Sequence, residues 1–497
     1  MKLIFKSAII FILFVTITNA QTGTRLVDFN SKSIGRGGTS IGVFDSNNLL
    51  MTNPAGISFL NNSAIDVNLS LMFPKVHFKN SINDVDGDDN VFPLPSLSYV
   101  NKYEDSNFSW GIGFFTYGGM GADYKLNHNL FRDMATGKFI QQEYHSQIAL
   151  MQGGLTAAYK ISENLSVGAS LHLVYSTLEF AMPYSLKPSI MKGIAMPGMT
   201  FGQMFAAPPQ MGGFGYDEVT AYAKMSDLTA LGFNGKIGIA YKVNENLSIG
   251  LNYSSPITLT YKDGKADMDM TAQLMDGFGK AVMGYMMQNP GSTQQQAQGA
   301  IMSQFAQMGI DLSKGAAATY DMEAELSFPQ SFGFGISYKI NSDFMIAADF
   351  EYLNWADAFD KMSLKLSNGN NPNINRMIGS SSMNIDFPMN WENSLLIKVG
   401  VEYNATPDLA LRVGFANGAN PVPSSTIFSI FPAVVENHIT AGLSYKVSAP
   451  LTINAAFEMG LENSVDGSKP HVLAHEYEGS TSSLSTSLLH LGVSYNL

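Results

Sequence analysis

Three cations stand between apolar or small neighbours and are the side chains best able to bind a ligand. They are Lys236, Lys398 and Arg412. A cation in a low-dielectric pocket can bind a carboxylate through charge-assisted hydrogen bonds. The alternative is that each cation pairs with an acidic side chain on the same face of its strand, which is the more common arrangement for any single residue. We rank Arg412 first and Lys236 second as ligand-binding residues. The acidic residues available for pairing are Asp349, Glu351, Glu402 and Glu458.

The other polar motifs predict neither a metal site nor a catalytic centre. The run Asp84–Asp89 begins like a calcium loop, but Pro95 stands where the closing glutamate should fall. His128, His145 and His172 lack the spacing of metal ligands, and the chain has no cysteine. We therefore expect no enzyme, no metal and no cofactor. The net charge of -12 argues against a nucleic-acid partner.

A short sequence motif recurs along the chain and marks the turns between strands. Each copy starts with tyrosine, usually followed by lysine, and continues with a few Asn, Asp, Ser, Glu or Pro residues. Polar residues between two alternating runs are what a tight antiparallel hairpin requires. The copies begin at Tyr159, Tyr241, Tyr338, Tyr403 and Tyr445.

The runs beside these turns are apolar on one face and small or polar on the other. After the first turn, for example, Leu171 and Leu173 alternate with Ser170, His172 and Val174. In a soluble sandwich the apolar face would form the core. In a transmembrane barrel the apolar face would meet lipid and the polar face would line the lumen.

Three features favour the barrel. Residues 1–20 have two lysines, an apolar stretch and small residues at the end, as in a secretory signal peptide. Charged residues are only 14% of the chain, against about 25% in soluble domains. Short connections occur at every second position, and long ones lie between them, as in outer-membrane barrels. The sequence predicts about fourteen strands near 64–79, 92–103, 107–118, 145–160, 165–181, 227–243, 247–263, 322–340, 343–360, 388–404, 408–416, 435–447, 451–462 and 484–497.

The segment between the signal peptide and the first strand, residues 21–63, has no strand periodicity. Glycines and the Asn53-Pro54-Ala55-Gly56 motif interrupt it. Its interspersed apolar residues favour a folded plug over a disordered arm. We therefore divide the chain into a signal peptide (1–20), an N-terminal hatch (21–63) and a barrel (64–497).

Several motifs occur in a fixed order along the mature chain. They are Gly35-Arg36-Gly37-Gly38, Asn53-Pro54-Ala55-Gly56, Phe328-Pro329, the runs 349–355 and 411–415, and the run 437–445. In this order they resemble the FadL family of outer-membrane transporters of long-chain fatty acids and aromatic hydrocarbons. The resemblance implies an all-β fold, namely a fourteen-stranded antiparallel transmembrane β-barrel plugged by the hatch. It also implies a ligand groove between two extracellular loops and a lateral opening beside a kinked third strand.

Two long loops have the composition of an apolar binding surface. Residues 182–226 and 264–321 are rich in Met and Phe, and the second loop has two helical patterns separated by Pro290-Gly291. Flexible thioethers beside aromatic rings can repack around varied apolar chains. The alternative is that these residues only pack the loops together. The predicted groove residues are Phe201, Phe205, Phe278, Met286, Phe305 and Met308.

The third strand runs into a glycine-rich segment containing Gly118, Gly119 and Gly121, where the resemblance places the lateral exit. Glycines permit a kink and leave no side chain to close the wall, although an ordinary loop start has the same composition. The sequence thus predicts passive uptake of a hydrophobic or amphiphilic molecule, most simply a long-chain fatty acid, into the bacterial outer membrane. An uncharged hydrocarbon would need neither Arg412 nor Lys236. The expected partners besides the ligand are outer-membrane lipid, lipopolysaccharide and the barrel assembly machinery.

Other functions remain open from the sequence. The first alternative is a channel for aromatic hydrocarbons, and the second is a closed structural or adhesive barrel, which would not need a Met-rich mouth. A barrel acyl hydrolase would need a serine, a histidine and an acidic residue on adjacent strands. The sequence alone does not reveal such a constellation.

Overall fold

The computed structural model describes residues 23–103, 105–133 and 135–497. The predicted signal peptide lies outside these ranges. Within them, fourteen strands form the wall, and four of these strands are interrupted. They are β1 (Ala64–Lys79), β2 (Phe92–Lys102), β3 (Phe108–Leu126), β4 (Gln142–Lys160), β5 (Leu165–Leu186), β6 (Val219–Lys242), β7 (Leu247–Ser254 and Ile257–Asp269), β8 (Ala317–Phe328 and Ser331–Lys339), β9 (Phe344–Leu353 and Lys361–Ser367), β10 (Met383–Pro388 and Ser394–Thr406), β11 (Leu409–Gly418), β12 (Asn437–Lys446), β13 (Leu451–Asp466) and β14 (Thr481–Asn496).

Every strand pairs antiparallel with its neighbours in the chain, and the last strand pairs with the first. The closing ladder of β1 and β14 runs from Ala64 opposite Asn496 to Lys79 opposite Thr481. Apart from a gap between β2 and β3, closure leaves no sheet edge, so the backbone polar groups of the wall are satisfied within the protein, as a membrane requires. The prediction of a fourteen-stranded antiparallel transmembrane barrel is confirmed.

The two faces of the wall reverse the pattern of a soluble protein. On β5, Leu171 is 62% exposed on the outside, whereas the side chain of the next residue, His172, is fully buried in the lumen. Ser166, Ser170 and Ser176 lie on the same inner face as His172 and are buried too. An exposed apolar band over a polar interior is the arrangement that a bilayer stabilises.

The recurring tyrosines lie on the outside at the ends of the strands beside the short turns. The ring of each is exposed, and an aromatic ring with a polar tip favours the boundary between lipid and water. The alternation of connections also holds, since short turns lie at this end and all the long loops lie at the other. These tyrosines are Tyr159, Tyr241, Tyr338, Tyr403, Tyr445 and, beside the C terminus, Tyr495.

Residues 23–63 lie inside the barrel and are mostly buried. They form two single turns, α1 (Ser31–Ile34) and α2 (Leu49–Thr52), and a 3-10 helix at Pro54–Phe59. The remaining α-helices of the described residues lie in the long connections or at the interruption of β9. They are α3 (Phe201–Ala206), α4 (Thr271–Gln288), α5 (Gln294–Gln307), α6 (Trp355–Ala358) and α7 (Pro372–Ile378). Four further 3-10 helices (Pro188–Ile190, Pro209–Met211, Leu312–Lys314 and His475–Tyr477) also lie in these connections. None of the helices in the described ranges is long and apolar enough to cross a membrane.

Glycines of the wall bring the hatch backbone close to the strands. A Cβ atom on Gly250 of β7 would collide with the carbonyl oxygen of Ile41, and one on Gly238 of β6 would lie 3.0 Å from Cδ of Pro54. The high glycine content therefore has a local cause at these positions, because only glycine leaves room for the hatch.

Candidate functional site

The lumen holds a buried lysine, Lys236, that no carboxylate of the described residues contacts at ion-pair distance. Lys236 on β6 donates from Nζ to Ser254 Oγ at 3.1 Å, and Nζ lies 5.5 Å from the centre of the Tyr117 ring. Among the described residues, Lys236 forms no ion pair with a carboxylate, although it is almost completely buried. A buried ammonium group without a counter-ion is costly, so this position favours an anionic ligand.

Two further side chains beside Lys236 have unused polar atoms. Both ring nitrogens of His172 and both amide atoms of Gln152 are buried without a hydrogen-bond partner among the described residues. His172 on β5 lies opposite Asn234, two residues before Lys236, and opposite Gly154, two residues after Gln152. Each unsatisfied group costs about 1–3 kcal/mol. A polar ligand or water could remove that cost, so we call Gln152, His172, Lys236 and Ser254 the luminal polar site.

Arg412 is placed differently from Lys236. Its Nε lies 2.6 Å from Glu402 Oε2, and Nη1 donates to Ser444 Oγ at 2.6 Å. Arg36 of the hatch contacts the same Glu402 oxygen at 2.6 Å and also pairs with Asp45. The network borders a cavity of about 640 Å³ at the end of the short turns. The guanidinium of Arg412 is thus already paired with Glu402. This is the alternative in which a luminal cation pairs with an acidic side chain.

Lys398 is also engaged with the hatch. Its Nζ donates to the carbonyl oxygen of Val27 at 2.7 Å and lies 3.6 Å from Glu351. Arg25 pairs with the other oxygen of Glu351 at 2.5 Å. These contacts attach the first described residues of the hatch to β9 and β10.

The hatch motif contacts another part of the wall, β6. Asn53 Nδ2 donates to the carbonyl oxygens of Ile41, at 2.9 Å, and Ile239, at 3.1 Å. Pro54 begins the 3-10 helix, where its missing N–H costs nothing, and Ala55 and Gly56 are buried behind it. The motif therefore joins two parts of the hatch to β6.

The wall is incomplete between β2 and β3. Their ladder stops at Ser96 and Phe115, while β3 continues to Leu126 beside β4 with a bulge at Tyr117. In this region β2 contains Pro93 and Pro95, which have no N–H to donate and suit a strand with one neighbour.

The hatch fills this gap. The N–H of Gly119 donates to the carbonyl oxygen of Thr24 at 3.0 Å, and Arg25 forms an isolated bridge with Gly118. A cavity of about 80 Å³ lies beside these residues and is lined by Met120, Gly121 and Phe92 among others. The predicted exit glycines therefore border a gap that is closed in this state by residues 24–26.

The predicted groove residues lie in the two longest loops, but most of them are covered. The two helical patterns of the longer loop are confirmed as α4 and α5, and Phe278 meets Phe305 edge to face at 5.8 Å between them. Phe278 is partly buried and Met286 exposed. The groove residues buried in this state are Phe201, Phe205, Phe305 and Met308.

An aromatic cluster in the lumen was not predicted. Trp355 of α6 lies 4.9 Å from Trp391 between ring centres, and Phe359 lies 4.5 Å from Trp391. Phe328 and Phe431 extend the cluster. The interruption of β9 turns Trp355 inward, and strand alternation alone gives no sign of this interruption. The cluster could hold an aromatic ring or an acyl chain.

The long loop between β13 and β14 buries one carboxyl group. Burial raises the pKa of Glu476 to about 8, with Glu218 adding to the increase, while a hydrogen bond from Tyr144 acts against it. Tyr144 donates from its hydroxyl to Glu476 Oε2 at 2.6 Å. Near neutral pH the group is therefore mainly protonated.

The closed wall, the plug and the gap beside β3 define a class of protein, the outer-membrane transport barrels. A model of the family described as "Outer membrane protein transport protein (OMPP1/FadL/TodX)" matches residues 12–497. The chain belongs to this family, and it is a multi-pass β-barrel of the outer membrane that transports hydrophobic compounds. No match was found among curated protein sequences.

Solved structures share the fold at low sequence identity. The Pseudomonas putida toluene transporter TodX is 18% identical with a TM-score of 0.66, over 96% of this chain and 100% of that one. A Pseudomonas aeruginosa FadL homologue is 16% identical with a TM-score of 0.68 and the same coverage. The Ralstonia pickettii toluene transporter TbuX is 16% identical with a TM-score of 0.63, over 95% and 99%. At these identities the likeness shows the fold.

Proposed function

We propose that the protein takes up long-chain fatty acids by passive transport. The extracellular loops capture the acid, the luminal polar site binds its carboxylate, and the molecule leaves sideways between β2 and β3. Outer-membrane lipid and lipopolysaccharide surround the wall, and the barrel assembly machinery inserts it.

The observation that carries the proposal is the unpaired, buried Lys236 beside two side chains with unused polar atoms. Lys236 can supply the positive charge, and Gln152 and His172 can supply further hydrogen bonds to carboxylate oxygens. We therefore assign the head group to Lys236 rather than to Arg412, whose charge is already shared with Glu402.

Tyr117 links the head-group site to the gap in the wall. Two cations lie close to its ring, with Lys236 Nζ 5.5 Å and Arg25 Cζ 5.7 Å from the ring centre. Its carbonyl oxygen accepts from the N–H of Leu26 at 3.5 Å, next to the gap. A carboxylate bound at Lys236 would compete with Glu351 for Arg25 and so favour release of residues 24–26.

The aromatic cluster supports a second candidate, an uncharged aromatic hydrocarbon. Rings packed at 4.5–4.9 Å around Trp391 form a suitable surface for such a ligand. Two of the solved structures with this fold are toluene transporters, which also supports an aromatic hydrocarbon as the ligand. The two candidate ligands differ in charge, because a fatty acid carries a carboxylate and an aromatic hydrocarbon carries no charged group.

The test is Lys236→Met in purified protein, with the affinity measured by displacement of a fluorescent fatty acid. Loss of a charge-assisted hydrogen bond, worth about 1.5–3 kcal/mol, should weaken oleate binding roughly 10- to 150-fold. Binding of methyl oleate should stay unchanged because it has no charge. The control is Lys224→Met, which removes an exposed lysine from the same strand.

Equal loss of oleate and methyl oleate would contradict a carboxylate site at Lys236. Unchanged oleate binding in a folded variant would also contradict it. Toluene binding that falls on substitution of Trp391 with leucine, in the absence of any oleate binding, would establish that second candidate.

A further inference from the structure

A serine, a histidine and a carboxylate form a chain across three adjacent strands of the lumen. Ser70 on β1 lies directly opposite His490 on β14, and its Oγ is 2.6 Å from Nδ1 of that histidine. Nε2 of His490 lies 3.4 Å from Oε2 of Glu458 on β13. The other oxygen, Oε1, lies 2.8 Å from Nδ1 of His438 on β12. The constellation that the sequence did not reveal is therefore present.

The hydrogen bond between Ser70 and Nδ1 of His490 is consistent with one tautomer of that histidine, while Nε2 approaches Glu458 at ion-pair distance without forming a hydrogen bond in this state. If Nδ1 accepts the hydroxyl proton of Ser70, then Nε2 carries the ring proton, and it faces Glu458. The carboxylate then stabilises the imidazolium formed when the histidine takes a second proton. This division of roles is that of a nucleophile, a general base and an orienting acid.

The row of side chains formed by Ser70, His490 and Glu458 lies beside the gap between β2 and β3. A narrow cavity of about 10 Å³ is lined by Ser70, His490, Pro95 and Thr116. The larger cavity beside the gap shares Glu458 and Leu488 with it. The cavity that Ser70 lines therefore adjoins the one at the gap, and Ser70 itself is only partly buried, so an amphiphilic molecule at the gap lies next to it.

We propose that Ser70 is the nucleophile of a site that hydrolyses carboxylic esters with an apolar acyl group. His490 is the general base, and Glu458 positions His490. The proposal goes beyond uptake of a free acid and does not depend on Lys236.

The reaction uses only the ester and water. Ser70 Oγ attacks the carbonyl carbon, and its proton passes to Nδ1 of His490. The ester C–O bond breaks, and the leaving alcohol takes that proton. Water then attacks the acyl-serine and gives one proton to His490, which returns it to Ser70 Oγ as the acid is released.

A long-chain alkyl fluorophosphonate tests the nucleophile in purified, folded barrel, because one attack with loss of fluoride leaves a stable adduct. Peptide mass spectrometry should find the adduct on Ser70, and Ser70→Ala should abolish it. His490→Gln should slow its formation at least about 10-fold, since a general base typically contributes 10²–10⁴-fold. The control is Ser176→Ala, which removes another buried luminal serine, bonded to Tyr261.

Hydrolysis is measured with p-nitrophenyl octanoate in the same micelles. The wild-type rate should exceed that of micelles alone, and Ser70→Ala, purified in the same way, should remove the excess. Glu458→Gln should lower the rate, and Glu458→Asp, which keeps a carboxylate, should restore part of it. Such rescue would not follow if Glu458 only supported the wall.

Three results would overturn the proposal. They are no adduct on Ser70 in folded wild-type protein, an unchanged adduct rate in folded His490→Gln, and a wild-type hydrolysis rate equal to that of micelles alone. If His490→Gln does not fold, the comparison of wild type with Ser70→Ala in both assays decides.

Discussion

At the scale of single residues, the structure shows which luminal cations have an ion-pair partner among the described residues and which do not. The sequence could not show this. Alternation correctly predicts that Lys236, Lys398 and Arg412 face the lumen, because side chains on a strand point alternately to its two faces. It does not identify their partners, since Arg36 and Asp45, which complete the network of Arg412, come from a hatch segment without strand periodicity. The unpaired state of Lys236 is a property of the assembled lumen, so it appears only when all the neighbouring strands are in place.

The raised pKa of Glu476 gives a residue-scale prediction about pH and stability. The folded carboxyl has a pKa of about 8, against an ordinary value of 4.5. Between these values the folded state keeps a proton that the unfolded state has released, so stability falls as pH rises through this window. Glu476→Gln stays neutral and keeps an oxygen to accept from Tyr144. The thermal midpoint of the wild type should therefore fall from pH 6 to pH 9 more than that of the variant.

The control for this experiment is Glu478→Gln, which changes a nearby carboxyl of the same loop by the same chemistry. It should leave the pH dependence of the wild type in place. A Glu476→Gln variant whose thermal midpoint follows pH as the wild type does would show that Glu476 is not the group responsible.

At the scale of elements, the strand pattern predicts the wall well and the interruptions poorly. All fourteen strands occur near their predicted places because period-two alternation and turn residues are local signals. The turn of the chain at α6, which brings Trp355 inward, depends on packing against Phe328, Phe359 and Trp391. Such contacts join distant parts of the sequence, and no local pattern encodes them.

The gap beside β3 gives an element-scale prediction about exit. A side chain at Gly119 would place its Cβ 2.5 Å from the carbonyl oxygen of Ile148, so Gly119→Trp should disturb the strand itself. Met120 lines the cavity of about 80 Å³, so a larger side chain at this position would extend into the cavity. Met120→Trp should therefore lower uptake of labelled oleate into cells several-fold while binding to purified protein stays near normal.

The matched variant is Met120→Leu, which preserves an apolar side chain of similar size and should leave uptake intact. Loss of both uptake and binding in Met120→Trp would indicate misfolding rather than a blocked exit. Full uptake by a folded, surface-exposed Met120→Trp variant would place the exit elsewhere, for example past the hatch at Asn53–Gly56.

At the scale of the whole molecule, the composition and the closure of the barrel are both explained by a wall that crosses a lipid bilayer. A low fraction of charged residues and many glycines suit a wall that faces lipid outside and a hatch inside. The ladder of β1 and β14 joins the two ends of the barrel over the full length of both strands. Native barrel should therefore migrate differently from boiled protein on a denaturing gel, and this shift is the folding check for every variant above.

The orientation of the barrel can be tested with single cysteines, because the natural chain has none. The long loops lie at one end and the short turns at the other, and outer-membrane barrels turn their long loops outward. Met287 on α4 and Glu245 in the turn between β6 and β7 are both exposed at opposite ends. A membrane-impermeant maleimide should label Met287→Cys on intact cells but label Glu245→Cys only after the outer membrane is opened. Labelling of Glu245→Cys alone on intact cells would reverse the orientation and place the Met-rich loops in the periplasm, where they could not capture a ligand from outside.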